Sequence, residues 1–257
     1  MPTPPDTGKV LLVGAGPGAA DLMTVRALRA VQGAQALLYD ALVPDEILAL
    51  APAGCLRIQT GKRAGKASMK QETINRLMLR LALRGRTVVR LKGGDPSVFG
   101  RSGEERAFLE AHGVAVEVIP GVTAASAAAA QFGFPLTHRG EARRVAFATA
   151  RVQDGAVVEE GWAALADAQT TVALYMARDA AAAVAGRLIG AGRAPDTPAV
   201  AVENAGRADA RLIGASLADL PAALAAAAPE GPVVLVIGEA VAQARAAGAG
   251  QPLRASA

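Results

Sequence analysis

The stretch TVVRLKGGDPSVFGRSGEE, residues 87–105, runs from a β-branched segment through a Gly-Gly-Asp-Pro turn into the start of a helix. Residues 87–92 read as a strand. Gly93 and Gly94 permit positive φ and close backbone approach to a ligand, and Pro96 fixes the turn. Ser102-x-x-Glu105 reads as a capping box, which opens a helix near Ser102 and gives Glu105 a structural role. A strand passing through such a turn into a helix is the unit of an open α/β sheet, and those sheets bind ligands at the carboxyl edge of their strands. The acid at this edge, Asp95, is wrong for phosphate and suits a ribose hydroxyl, an ammonium or a sulfonium. Arg101 follows at the mouth of the helix, where the glycines around it favour ligand contact over a plain surface role.

Two more glycine turns follow strands. VGAGPGAADLMT, residues 13–24, continues KVLLVG (9–14), and a helix is expected over 21–31 with Asp21 as its N-cap. Gly14-x-Gly16-x-x-Ala19 loosely fits the dinucleotide fingerprint, with Asp40 ending the next strand where a ribose-binding acid belongs. Against that reading, Pro17 lacks the N–H that a pyrophosphate would want. In IPGVTAASAAAA, residues 119–130, the chain turns through Pro120-Gly121 into a helix whose first residues, Val122 to Ala125, are small enough to lie beside a flat ligand. Thr123 suits either that role or a helix cap. Three such turns on one sheet edge point to one ligand site.

Outward from these turns, strands and helices alternate. Strands are expected at 9–14, 36–40, 56–60, 87–92 and 115–119. A helix is expected over 70–84, with apolar residues at 74, 77, 78 and 81 and a stop at Gly85. This order implies a mainly parallel sheet with helices on its faces. FPLTHRGEARR, residues 134–144, breaks the pattern, and a second strand series follows at 144–149, 170–176, 198–204, 210–216 and 232–238. Helices are expected near 178–191 and 216–228. The runs 198–204 and 210–216 leave no room for a helix between them, so this half should hold an antiparallel pair and a mixed sheet. The expected architecture is α/β with two domains, 8–138 and 139–246, and a frayed tail.

Composition narrows the function classes. Of 257 residues, 52% are hydrophobic and 19% charged, which excludes a disordered chain. Alanine is roughly a quarter of the chain, a mark of helices with small-residue packing. No apolar run reaches the roughly 18–20 residues that cross a bilayer, and MPTPPDTG lacks a charged-then-apolar leader, so a cytoplasmic chain with no membrane partner is expected. One cysteine, Cys55, and two histidines, His112 and His138, leave no internal disulfide and little basis for a protein-held metal. Residues 1–140 carry 17 Lys and Arg against 11 Asp and Glu, and the remainder 10 against 12. The basic first half favours an anionic ligand.

The set VGAGPG…DLMT, YDALV, GKR, LKGGDPSVFGRSGEE, PGVTAASAAAA, PLTHRG, LYMA and VEN-A resembles the tetrapyrrole (corrin/porphyrin) methylases over residues 8 to about 240. Within them it is most similar to the members that C-methylate uroporphyrinogen III. The resemblance implies a stand-alone, S-adenosylmethionine-dependent homodimer whose second domain completes the cofactor cleft. Carried over by motif, the cofactor contacts are Pro17, Gly93, Gly94, Asp95, Val98, Thr123, Ala124, Met176 and Ala205. Met176 rests on the resemblance alone, since by composition it reads as a core methionine. The implied reaction is two methyl transfers to pyrrole carbons, giving precorrin-2. Asp40 resembles the family's proton acceptor and Lys62 its proton donor. Arg101 and Glu104 match substrate-contacting positions, and Arg101 is also a candidate for proton handling. Arg63, Lys66, His138 and Arg139 suit the carboxylates around a tetrapyrrole rim.

Ser97, Ser102 and Thr149-Ala150-Arg151 depart from the family pattern, so a methyltransferase acting on a later precorrin is the nearest alternative. From other classes, Gly14, Gly16 and Asp40 leave an NAD-dependent oxidoreductase open, and a non-catalytic cofactor sensor is a third reading. A ribosomal-RNA methyltransferase would suit the positive charge. The scarcity of aromatic platforms (one Trp, two Tyr, five Phe) argues against nucleic acid.

Overall fold

The computed structural model describes residues 7–61, 69–150, 152–153, 156–157 and 161–244. The chain divides into two compact units, the first ending at Thr123 and the second starting at Ala124.

The first unit holds β1 (Lys9–Gly14), α1 (Val25–Gln32), β2 (Ala36–Tyr39), α2 (Asp45–Ala49), β3 (Leu56–Gln59), α3 (Gln71–Ala82), β4 (Val88–Lys92), α4 (Ser102–Ala111) and β5 (Ala115–Ile119). Its strands are all parallel, in the order β3-β2-β4-β1-β5. Alternation along β1 supplies both faces of the sheet. Leu11 and Val13 pack with Ala27 and Val31 of α1 and Ile47 of α2. Val10 and Leu12 pack with Met78 and Leu81 of α3 and Leu109 of α4. Helices on both faces bury β1 and β4 along nearly their whole length, which accounts for their near-continuous apolar runs.

Two helix starts differ from the sequence reading. The segment after the first glycine turn makes a short 3-10 turn at Ala20–Leu22, and α1 begins only at Val25. Thr24, not Asp21, is its N-cap. The Thr24 Oγ1 accepts from the Ala27 N–H at 3.1 Å while donating to the Pro120 carbonyl at 3.2 Å, so the same hydroxyl caps the helix and ties it to the third glycine turn. Helix α4 starts at Ser102 as expected, but without the capping box. Arg101 is the N-cap, in a left-handed conformation and without a side-chain cap bond. Glu105 is drawn instead to cations on β4, charged partners stronger than a backbone N–H.

The second unit comprises α5 (Ala124–Gln131), β6 (Arg144–Thr149), β7 (Val152–Gln153), β8 (Ala156–Val157), α6 (Trp162–Leu165), β9 (Thr170–Tyr175), α7 (Ala181–Gly190), β10 (Pro198–Glu203), β11 (Arg211–Ser216), α8 (Leu220–Ala227) and β12 (Val233–Ile237). Its main sheet runs β11-β10-β12-β9-β6. Only β6 and β9 pair in parallel; β10 lies antiparallel to both β11 and β12, so the expected antiparallel pair and mixed sheet are present. Ala125 and Ala128 of α5 pack against Val200, Val234 and Val236 of this sheet. Residues 124–138, expected with the first domain, therefore lie with the second unit: the proline and glycine of 134–140 mark a loop, and the alanine helix before them finds its partners on strands far downstream.

Among the described residues no helix is long and apolar enough to cross a membrane, and no group of three or more His, Cys, Asp or Glu side chains could hold a metal ion.

Candidate active site

In the first unit β4, β1 and β5 are neighbours, so the turns that follow them meet. The Gly94 N–H donates to the Gly16 carbonyl at 2.7 Å, and Gly16 returns the bond to Gly94 at 3.2 Å. Asp95 joins the second turn to the third. Its Oδ1 accepts from the Ser97 N–H at 2.7 Å and its Oδ2 from the Gly121 N–H at 2.9 Å. The glycines are sterically required. A Cβ on Gly14 would stand 2.6 Å from the Gly121 nitrogen, and one on Gly121 would stand 2.3 Å from the Gly94 carbonyl oxygen. Gly121→Ala is therefore expected to destabilise the unit by about 1–3 kcal/mol through overpacking. It should also prise the turns apart; thermal melts and calorimetry with S-adenosylhomocysteine check both, and wild-type values for both would refute the convergence.

Most of the expected cofactor contacts of this unit line these turns. Pro17, Gly93, Gly94, Asp95 and Val98 are half-buried and Thr123 is buried. Both Asp95 oxygens accept backbone N–H groups, so its carboxylate holds the turns in place.

The segment beyond the second turn is conformationally unusual. Phe99 and Arg101 sit at φ 54° and 57°, where a side chain is strained and glycine is not. Arg101 grips Glu104 with a fork, Nε to Oε1 at 2.9 Å and Nη2 to Oε2 at 2.7 Å, and both side chains are exposed. This bond, ahead of every other influence, holds the Glu104 carboxyl below the usual carboxylate range and lifts Arg101 above its ordinary value.

Asp40 lies just beyond β2, with its side chain 32% exposed. Its Oδ1 is 2.5 Å from Arg90 Nη2 and 3.4 Å from Thr60 Oγ1, whose hydroxyl has the Tyr39 carbonyl closer, at 3.0 Å. Beneath it, Arg90 Nε bonds Glu105 Oε1 at 3.2 Å, and Lys92 Nζ reaches both Glu105 oxygens at 3.2 and 3.1 Å. Gln71 Nε2 adds a bond to Glu105 at 3.0 Å and one to Asn75 at 2.9 Å. Glu105, Arg90 and Lys92 are all buried. Burial first, then the neighbouring Arg90 charge, pulls the Lys92 ammonium below its ordinary value. Sequence reasoning missed Arg90, Lys92 and this role of Glu105. Lys62, Arg63 and Lys66 lie outside the described residues, as does Arg151.

Of the second unit's expected contacts, Ala124 and Ala205 lie in or against α5. Ala124 opens that helix, and the next N–H, of Ala125, donates to the Tyr175 hydroxyl at 3.2 Å. Met176 follows at φ 54° and is 70% exposed, so it is not a core methionine. Ala205 is buried in the same cluster as Ala125 and Ala128. Gln131 pins the turn after Asn204, donating to the Arg207 carbonyl and accepting from the Gly206 N–H, each at 2.9 Å. His138 and Arg139 are exposed and belong to this unit, with His138 Nδ1 3.3 Å from Glu141 Oε2.

Residues 9–221 match the family of tetrapyrrole (corrin/porphyrin) methylases. The siroheme synthase of Chromobacterium violaceum is 46% identical over 234 residues, covering 91% of this chain and 50% of that protein. The chain thus spans about half the length of the siroheme synthases it matches. The uroporphyrinogen-III C-methyltransferase of Paracoccus denitrificans is 44% identical over 237 residues, covering 92% of this chain and 83% of the relative. Among solved structures, the Thermus thermophilus uroporphyrin-III C-methyltransferase complexed with S-adenosylhomocysteine is 39% identical, with a TM-score of 0.75 and coverage of 91% and 93%. A cobalt precorrin-4 methyltransferase reaches a TM-score of 0.82 at 31% identity, covering 93% and 98%. With its parallel and mixed sheets and its converging glycine turns, the chain belongs to the tetrapyrrole (corrin/porphyrin) methylase family.

Proposed function

We propose that this chain is an S-adenosylmethionine-dependent C-methyltransferase that converts uroporphyrinogen III to precorrin-2 by two methyl transfers, in sirohaem or cobalamin synthesis. The observation that carries the reading is the sheet edge where three glycine turns converge, with the anchored, partly exposed Asp40 on the same edge. The residues fit the cofactor. Gly14 and Gly121, which a Cβ would crowd, let the turns close on one another. Gly93 and Gly94 present backbone with no side chain over it, and Asp95 and Thr123 offer polar atoms without presenting a phosphate cradle. When bound, S-adenosylmethionine supplies an electrophilic methyl group.

The chain's own part is to bind, orient and move a proton. Pro17, Gly93, Gly94, Asp95, Val98, Thr123, Ala124, Met176 and Ala205 are the proposed cofactor contacts. With the cofactor bound, holding the substrate's pyrrole carbon against it would supply most of the acceleration. The ring then loses a proton, and Asp40 Oδ2 is the proposed acceptor, because Arg90 engages the other oxygen. Lys62 is the proposed donor. Arg101, Glu104, Arg63, His138 and Arg139 are assigned to the substrate, whose carboxylates suit guanidinium forks. The reading includes a cytoplasmic homodimer acting on an anionic tetrapyrrole, with no metal, nucleic acid or membrane partner.

Anaerobic incubation with S-adenosylmethionine and uroporphyrinogen III, followed by mass analysis, tests it. A gain of two methyl groups is the expected result. No gain from a chain that still binds S-adenosylhomocysteine would move the substrate to a later precorrin, the substrate class of the cobalt precorrin-4 methyltransferase whose fold this chain shares.

A further inference from the structure

Arg90 and Lys92 are two residues apart in β4, so both side chains fall on the face that α3 and α4 cover. Charged side chains in a central strand of a doubly covered sheet are rare unless paired. Here they are paired with Glu105, itself fully buried, and Arg90 reaches on to Asp40. Two cations and two carboxylates leave the cluster neutral. Such buried sets stabilise a fold little compared with apolar packing, so stability alone does not account for one. The geometry supplies another reason. The guanidinium of Arg90 is occupied on every edge: Nε by Glu105, Nη1 by the Leu91 carbonyl at 3.3 Å and Nη2 by Asp40. A planar group bonded at all three nitrogens is held in one orientation, and it tethers one oxygen of a carboxylate otherwise partly open to water.

We propose that Arg90, locked by Glu105 and Lys92, is the positioning residue for Asp40, and that Glu105 couples Asp40 to the helix that Arg101 caps and whose first turn carries Glu104. The inference rests on Asp40 as the proton acceptor and adds what holds it in place. Because misplacement of a reacting group costs on the order of 10- to 100-fold in rate, Arg90→Gln is expected to lower kcat by about that factor. The Kd for S-adenosylhomocysteine and the KM for S-adenosylmethionine should stay within about twofold. If Arg90 acts through Asp40, adding Arg90→Gln to Asp40→Asn should cost less than about twofold further.

Turnover of uroporphyrinogen III by the two single variants and the double variant is the measurement. Arg90→Lys serves as a second probe if Arg90→Gln fails to fold, since a single ammonium cannot span Asp40 and Glu105 together, and its kcat should fall likewise. Additive losses in the double variant, or a near-normal kcat for the folded Arg90 variants beside a crippled Asp40→Asn, overturn the inference alone. A near-normal Asp40→Asn removes the Asp40 reading, and with it the inference.

Discussion

Arg101→Ala is expected to lower kcat/KM for the tetrapyrrole by about 30-fold to several thousand-fold, the effect of removing about 2–5 kcal/mol of charge-paired hydrogen bonding. Binding of S-adenosylhomocysteine should change by less than about twofold, because the glycine turns are built without this side chain. The fork to Glu104 shows the geometry in which Arg101 meets a carboxylate, and a substrate carboxylate can replace Glu104 there. The backbone sharpens the test. At φ 57° Arg101 is strained by about 1 kcal/mol or more, and glycine would not be. Arg101→Gly should therefore unfold at a higher urea concentration than Arg101→Ala, and at no lower a concentration than the wild type, while turning over as poorly as the alanine variant. A near-normal turnover in either variant would end the assignment of Arg101 to the substrate.

How much of this was legible beforehand depends on where each residue's partners lie. Strands β1, β5 and β6 match their expected runs end to end. Strand β1, covered on both faces, leaves its record in consecutive apolar residues, whereas β5 and β6 are partly exposed edge strands legible from their β-branched residues. The convergence of the glycine turns was legible too, since a parallel sheet brings every strand's carboxyl end to one edge. Features with distant partners were not. Thr24 caps α1 with a hydroxyl that also reaches Pro120, and Glu105 leaves its capping-box role because Arg90, Lys92 and Gln71 meet it from β4 and α3 rather than from its own helix. One signal was available and went unused. In TVVRLK the charges recur at every second position, placing both on one face of a strand whose neighbours bury it. Such charges need buried counter-charges, and Glu105 and Asp40 were the acids at hand. Met176 misled in the opposite sense: a methionine ending an apolar strand reads as core, and only the backbone turning left-handed after Tyr175 puts it on the surface.

Glu105→Ala should be the most destabilising of the substitutions considered, at about 3–5 kcal/mol, because it leaves two buried cations without their shared counter-charge. Urea denaturation measures the loss directly, and a shift below about 1 kcal/mol would mean that water reaches the site and solvates Arg90 and Lys92. Replacing the whole buried set separates what it does for the fold from what it does for the reaction. In a variant carrying Arg90→Leu, Lys92→Met and Glu105→Leu, no buried charge is left unpaired, and Asp40, one-third exposed, can be hydrated. Much of the stability lost in Glu105→Ala should return, since apolar packing replaces buried ion pairs at little or no cost. Turnover should not return with it, because nothing then fixes the Asp40 carboxylate. Recovery of both together would reduce the charged cluster to a packing device. Recovery of stability alone would show that the sheet carries these charges for the site at its edge.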